Sequence, residues 1–209
     1  MKRKWWLSLN GRGKDLLYGL LVATTLYGVG FTLSLLLGAV TIVGFHFYPM
    51  QLLNDFFYCF LVALLEEIIV RGFVLGGLLR LRMNRFLALV LSSVLFGAMH
   101  LFNPDMALLP MLNIVLAGMM LGVSFLYTRN LWFPISLHLF WNWIQGPILG
   151  YGVSGNQFTS SLLDLRLSEH TWLSGGSFGF EGSIVCTVLL SILVGCMICW
   201  FERRAQTNR

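Results

Sequence analysis

The sequence predicts an all-α membrane protein, one bundle of about six spanning helices with both termini cytoplasmic, and three observations carry that expectation. Of its 209 residues, 57% are hydrophobic and only 11% are charged, whereas soluble domains carry about 25% charged residues. Apolar stretches of the roughly 20 residues needed to cross a bilayer core recur along most of the chain. The basic residues sit in short clusters at the ends of these stretches, where they orient spans. The net charge of +5 therefore reads as membrane orientation, and no nucleic-acid partner is implied.

Charges taken as boundaries place spans near residues 16–43, 56–79, 86–101, 107–127, 131–150 and 183–201. Met1-Lys2-Arg3-Lys4 looks like the start of a signal peptide, but the apolar run that follows exceeds a signal core of about 7–15 residues. It reads as an uncleaved first span, long enough to tilt or break. Tyr48-Pro49, Asn103-Pro104 and Thr128-Arg129-Asn130 supply turn chemistry between spans. Residues 1–209 form a single membrane-embedded domain without repeats, with its motifs at about 60–145 and one long Gly- and Ser-rich loop at about 151–182. Such a loop either caps a cavity or merely connects.

With a cytoplasmic N-terminus, Lys2, Arg3, Lys4, Arg12, Lys14, Arg80, Arg82, Arg85, Arg129, Arg203, Arg204 and Arg209 all lie inside, and Arg166 outside. Gly72-x-x-x-Gly76 and Gly118-x-x-x-Gly122 let helix backbones approach closely, chiefly within the chain. Cys59, Cys186, Cys196 and Cys199 fall in apolar segments and act as small hydrophobes. The Cys196-x-x-Cys199 pair has no second pair or nearby histidine to complete a metal site.

Ionisable residues inside the membrane cost about 2.5–3.5 kcal/mol each on insertion scales and are functional by default. The second span holds Glu66, Glu67 and Arg71. Glu67 and Arg71 are spaced i,i+4 with the acid first, the favourable order for a helical ion pair, so they read as a structural or supporting pair. Glu66 points about 100° away and needs a partner from another span. His100 ends the third span, while His138 and Asn142 sit one turn apart in the fifth.

Their depths agree. At 1.5 Å per residue, Glu66 lies roughly 21 Å from Arg80, His100 roughly 22 Å from Arg85, Asn142 roughly 20 Å and His138 roughly 14 Å from Arg129. Adjacent helices can bring Glu66, His100, His138 and Asn142 around one buried cavity. A carboxylate there can take a proton from water and return it, a histidine can hold that water, and His138 with Asn142 can donate to an oxyanion. Amide hydrolysis follows from this set. Glu66 with two histidines also matches the His₂Glu set of some zinc sites, yet the ligands come singly from three helices and no H-E-x-x-H occurs. The metal-free reading leads, with no cofactor, and zinc is the alternative.

At these residues the chain resembles the CAAX protease and bacteriocin-processing family, relatives of the type II CAAX prenyl endopeptidases. Its three motifs occur in order as Glu66-Glu67-x-x-x-Arg71, Phe96-x-x-x-His100 and His138-x-x-x-Asn142. Leu131-Trp132-x-Pro134-Ile135 and Gly175-Gly176-x-Phe178-Gly179-x-Glu181-Gly182 also look like bacterial members. The resemblance implies an intramembrane endopeptidase of a bacterial plasma membrane, with Glu66 and His100 activating water and His138 with Asn142 forming the oxyanion site. It implies a membrane-associated peptide or protein substrate, lipidated in the eukaryotic relatives, and links bacterial members to bacteriocin immunity. Family members have been described as metalloproteases and as glutamate-dependent proteases. A non-catalytic immunity or scaffold protein, and a proton-coupled transporter using Glu and His as a relay, remain the competing functions.

Overall fold

The computed structural model describes residues 6–207. The signal-like Met1-Lys2-Arg3-Lys4 and the terminal Arg209 lie outside the described residues. Helices follow in the order α1 Gly13–Leu36, α2 Pro49–Glu67, α3 Gly76–Arg80, α4 Arg85–Met99, α5 Leu108–Thr128, α6 Trp132–Trp143, the short α7 Thr171–Ser174 and α8 Ile184–Thr207. A π-helical stretch, Ile68–Leu75, joins α2 to α3, and a second, Ile144–Ile148, extends α6. The protein is a helical membrane protein: α1, α5 and α8 are each long and apolar enough to cross a bilayer, and α4 is a shorter apolar helix.

The expectation of an all-α fold needs one correction. The apolar run predicted as a single span over 16–43 stops being helical at Leu36, where Gly38 turns the chain with φ +66°. β1 Val40–Phe45 then pairs antiparallel with β2 Leu163–Leu167, Val40 opposite Leu167. Hydropathy did not separate the two because Val40, Ile42, Val43 and Phe45 are as apolar as the helix before them; β-branched residues favour the pleated form. The second helix also begins earlier than position 56, with Pro49 in its first turn, where a missing N–H costs nothing.

Each helix shows why it lies where it does. Along α2 and its π continuation, Leu53, Phe57, Leu61, Leu65, Ile69 and Phe73 recur every four residues and stay 47–66% exposed. A contiguous apolar stripe of this size marks a lipid-facing surface. The opposite stripe, Asp55, Cys59, Ala63 and Glu67, is buried. Asn84 caps α4 by accepting from the N–H groups of Phe86 and Leu87. α4 packs on α5 through Gly118 and Gly122, whose added Cβ atoms would meet Ser93 and Phe96 at 3.2 Å and Leu89 at 2.4 Å. That small-residue motif is an intrachain contact. Gly72 and Gly76 instead receive the ring of Trp6 from the N-terminal segment.

Polar contacts tie one end of the bundle together. Arg85 donates to Glu202 at 3.0 Å, Tyr127 also donates to Glu202, and Arg80 lies 4.4 Å over the Trp6 ring. The N-terminal segment is held there as well: the Leu131 N–H donates to the Trp6 carbonyl, and the Trp132 indole to that of Leu7. The start of α4 and the ends of α3, α5 and α8 thus share one end, as the distribution of arginines predicts. The β1–β2 strand pair, clasped by His46 and Asp164 at 2.8 Å, and the loop after α6 lie at the other.

α1 packs closely against α6 at Gly19, where a Cβ would stand 2.5 Å from the Leu137 backbone nitrogen and 2.6 Å from Ser136 Cβ. Nothing lies within 4 Å of a Cβ at Gly28. Gly19→Ala should therefore force the helices apart and destabilise the protein by about 1–3 kcal/mol, while Gly28→Ala should be neutral or stabilising. Thermal unfolding of both variants in detergent checks the contrast.

Candidate active site

The inner faces of α2 and α5 and the ends of α4 and α6 border a cavity of about 440 Å³, into which the loop after α6 also projects. Glu66, His100, His138 and Asn142 all line it, so the structure brings together the four residues that depth alone had grouped. Loop residues from Val153 to Thr159 line it too, so the loop contributes to the cavity wall. Glu67 and Arg71 do not reach the cavity; both side chains are fully buried behind it.

The expected ion pair forms, Arg71 Nη1 donating to Glu67 Oε1 at 2.9 Å. Its surroundings were not legible in the sequence. The same Oε1 accepts from His138 Nδ1 at 2.9 Å, and Arg71 Nη2 donates to the Gly118 carbonyl at 3.0 Å. The guanidinium lies 4.3 Å over the Phe96 ring, a contact worth about 2 kcal/mol when desolvated. Phe96 also meets the His100 ring at 4.8 Å and the His138 ring at 5.9 Å. It thus touches the guanidinium and both imidazoles, a role its place in the motif did not disclose. The π-helical winding begins at Ile68, just past the two acids; such windings recur at functional sites.

With Glu67 Oε1 as the acceptor from Arg71, His138 is the donor at Nδ1. Its Nε2 is left free and stands 3.9 Å from Glu66 Oε2. His100 is oriented in the same sense, donating from Nδ1 to the Phe96 carbonyl at 2.8 Å. Glu66 Oε2 is buried with no hydrogen-bond partner, although the Glu66 side chain is 24% exposed overall. Two imidazoles with free Nε2 atoms and one uncommitted carboxylate thus border the same space.

Imidazoles held through Nδ1 in this way are also typical of metal ligands. Among the described residues, however, no three His, Cys, Asp or Glu side chains converge closely enough to hold a metal ion. As placed, Glu66, His100 and His138 do not form the His₂Glu set of a zinc site.

A second buried carboxylate organises the far wall. Glu181, only 3% exposed, accepts from the Trp141 indole at 2.7 Å, from Gln145 at 3.2 Å, and from the Ser154 N–H and hydroxyl at 2.8 and 2.9 Å. Tyr27 of α1 donates to Gln145. The Gly-rich motif makes this possible. Gly179, at φ +100°, passes so close to Gly152 that a Cβ would lie 1.8 Å from its carbonyl oxygen. Glu181 therefore joins the loop to α6 beside Asn142, and the only sequence signal for it was the acid inside that glycine motif.

Residues 48–144, just under half of the chain, match the family model described as "Type II CAAX prenyl endopeptidase Rce1-like". The match spans all three motifs and agrees with the resemblance read from them; the family is one of proteases. No curated protein and no solved structure matches the chain.

Glu67→Ala would leave Arg71 buried without its counterion, a change that typically costs about 3–5 kcal/mol. Glu66→Gln removes no hydrogen bond and should leave stability nearly unchanged. Pairing Glu67→Leu with Arg71→Met should recover most of the loss. Unfolding midpoints of the three proteins test this ordering.

Proposed function

We propose that this chain, matched over residues 48–144 by the Rce1-like type II CAAX prenyl endopeptidase model, is an intramembrane endopeptidase that cleaves a membrane-associated peptide or protein with water activated by Glu66. One observation carries the reading. Glu66 Oε2 is buried without a hydrogen-bond partner, 3.9 Å from His138 Nε2, in a cavity shared with His100 and Asn142.

The reaction needs no metal. Glu66 takes a proton from a water held at the free Nε2 of His100, and the water oxygen attacks the peptide carbonyl. The resulting oxyanion is met by the Asn142 amide and by His138 Nε2. Donation from Nε2 requires His138 as an imidazolium, because its Nδ1–H already serves Glu67. That state balances the buried charges: Glu66 and Glu67 against Arg71 and His138 sum to zero. The protonated Glu66 then returns its proton to the amide nitrogen as the C–N bond breaks, releasing an amine and a carboxylic acid, whose proton passes to the amine to leave a carboxylate and an ammonium.

The six spans of this reading are α1, α2 through α3, α4, α5, α6 with its π extension, and α8, with both termini cytoplasmic in a bacterial plasma membrane. The arginine-rich end of the bundle faces the cytoplasm. The cavity, bordered by Asn103, Ser154 and Gln157, then opens toward the extracytoplasmic face. A substrate anchored in the bilayer, lipidated or spanning, reaches it beside the lipid-facing stripe of α2.

Mass spectrometry of membrane-associated peptides from cells expressing wild type or Glu66→Gln should show products only with wild type. Glu66→Gln, His100→Ala and His138→Ala should each lower turnover by at least about 10²-fold, and activity should persist in strong chelator. Full activity of the Glu66 variant would sink the mechanism; activity lost to chelator and restored by zinc would make the enzyme a metalloprotease. Protection against a bacteriocin that survives all three substitutions would indicate an immunity or scaffold protein instead.

Access is tested separately, by an impermeant thiol reagent on intact cells after Cys196 and Cys199 are replaced by Ser. A cysteine at the exposed Asn156 should label at once, and one at the exposed Arg82 only after permeabilisation. The reverse pattern would place the cavity on the cytoplasmic side.

A further inference from the structure

The cavity continues beyond the reacting groups along α2. Asp55, Cys59, Val62 and Glu66 all line it, and their spacing repeats one helical face. Asp55 and Glu66 are 11 residues apart in the sequence, so the cavity wall extends about 16 Å from the reacting carboxylate. That is the reach of about five residues of extended peptide.

Three carboxylates border this cavity, Asp55, Glu66 and Glu181, and none of the residues lining it is a lysine or arginine. Their states differ. Glu181 is saturated by donors from Trp141, Gln145 and Ser154, and Glu66 is assigned to the reaction. Asp55 accepts only from Gln51, at 2.9 Å through Oδ1. Its Oδ2 is buried with no partner, and the residue is only 7% exposed. No ion pair among the described residues reaches it.

A helix-dipole role accounts for an acid near the start of α2, but that effect fades within the first turn. Asp55 is the seventh residue of the helix that begins at Pro49. The dipole explains neither its burial nor the orphaned oxygen, and an unpaired buried acceptor costs about 1–3 kcal/mol. A ligand that brings a cationic N–H group recovers that cost, and charge-assisted bonds of this kind are the strong ones. Tyr58, which also lines the cavity, offers a ring for the stem or charge of such a group.

We propose that Asp55 forms a specificity subsite for a cationic side chain of the substrate, a lysine or arginine about five residues from the scissile bond. This rests on the peptidase reading for its register, but the subsite itself is a binding property. Asp55 is a recognition residue and takes no part in the proton transfers.

The test uses purified full-length protein in lipid nanodiscs and a series of internally quenched peptides in which Lys, Ala or Glu is placed at each position on either side of the cleaved bond. Wild type should prefer Lys to Glu by at least tenfold in kcat/KM at one position, about five residues from the bond, with the difference in KM and little change in kcat. Asp55→Asn should abolish the preference, and Asp55→Glu should retain part of it. Peptides cleaved without any charge preference would overturn the subsite while leaving the peptidase standing.

A second arm measures fluorescence anisotropy of the same peptides on Glu66→Gln and on Glu66→Gln/Asp55→Asn. Tighter binding of the Lys peptide that disappears with Asp55→Asn supports the subsite even if wild type cleaves nothing, an outcome that would sink the peptidase reading alone. Equal binding of Lys and Glu peptides by Glu66→Gln overturns the subsite whether or not cleavage is seen.

Discussion

One carboxylate oxygen, Glu67 Oε1, holds the centre of this protein by accepting from both Arg71 and His138. The arrangement draws four helices to one point. Arg71 stands in the π turn after α2, reaches the Gly118 carbonyl of α5 and lies on the Phe96 ring of α4, while His138 belongs to α6. Two charges this deep depend on partners inside the protein, since desolvation costs several kcal/mol per ion; Glu67 Oε1 and both Nη groups of Arg71 have them, while Glu67 Oε2 and Arg71 Nε do not. The set therefore tolerates little displacement. That rigidity fixes the His138 ring and with it the position of Nε2 beside Glu66.

Glu181 achieves the same end by different means. It has no cation within the network described for it, and four neutral N–H and O–H donors satisfy it. All four come from three residues on opposite sides of a loop closure, Trp141 and Gln145 before the excursion and Ser154, which supplies two, within it. The loop is thereby joined to the bundle through buried polar bonds, and the cavity wall it supplies is continuous with α6. Asn113 of α5 adds bonds to the Glu181 and Ser183 carbonyls, carrying the junction into α8. Polar networks of this kind specify one geometry when every member is satisfied.

Much of this was legible in the sequence, and where it was not the reason is physical. Apolar runs bounded by arginines located the helices because lipid imposes length and composition on each span independently of its neighbours. Depth along a helix needs only the 1.5 Å rise, so Glu66, His100, His138 and Asn142 could be assigned to one cavity before any packing was known. The ion pair of Glu67 with Arg71 was readable for the same reason, being local. Its bond to His138 was not, because the two residues are 71 positions apart and azimuth between helices is set by packing. The strand Val40–Phe45 was hidden inside an apolar run that hydropathy cannot divide. Asp55 and Glu181 stand just outside the apolar runs at 56–79 and 183–201, the commonest place for a solvated acid, and only burial distinguishes them.

The adjacent acids of α2 show how one helix separates structure from chemistry. Successive residues diverge by about 100°, so Glu67 enters the packed interior and Glu66 the cavity, and the energetic demands on them become opposite. A carboxylate committed to Arg71 and His138 cannot exchange a proton without breaking the bonds that place both partners. Glu66 has no such commitment at Oε2. On the proposed reading, the charges of Glu66, Glu67 and Arg71 leave an excess of one negative charge, which a single proton cancels from either Glu66 or His138 Nε2. These two groups stand 3.9 Å apart. Catalysis then requires that only this mobile proton and the water change place, while the buried set around Glu67 stays as folded. The cost of assembling charge in the membrane is met during folding, largely by Glu67 and Arg71, neither of which lines the cavity.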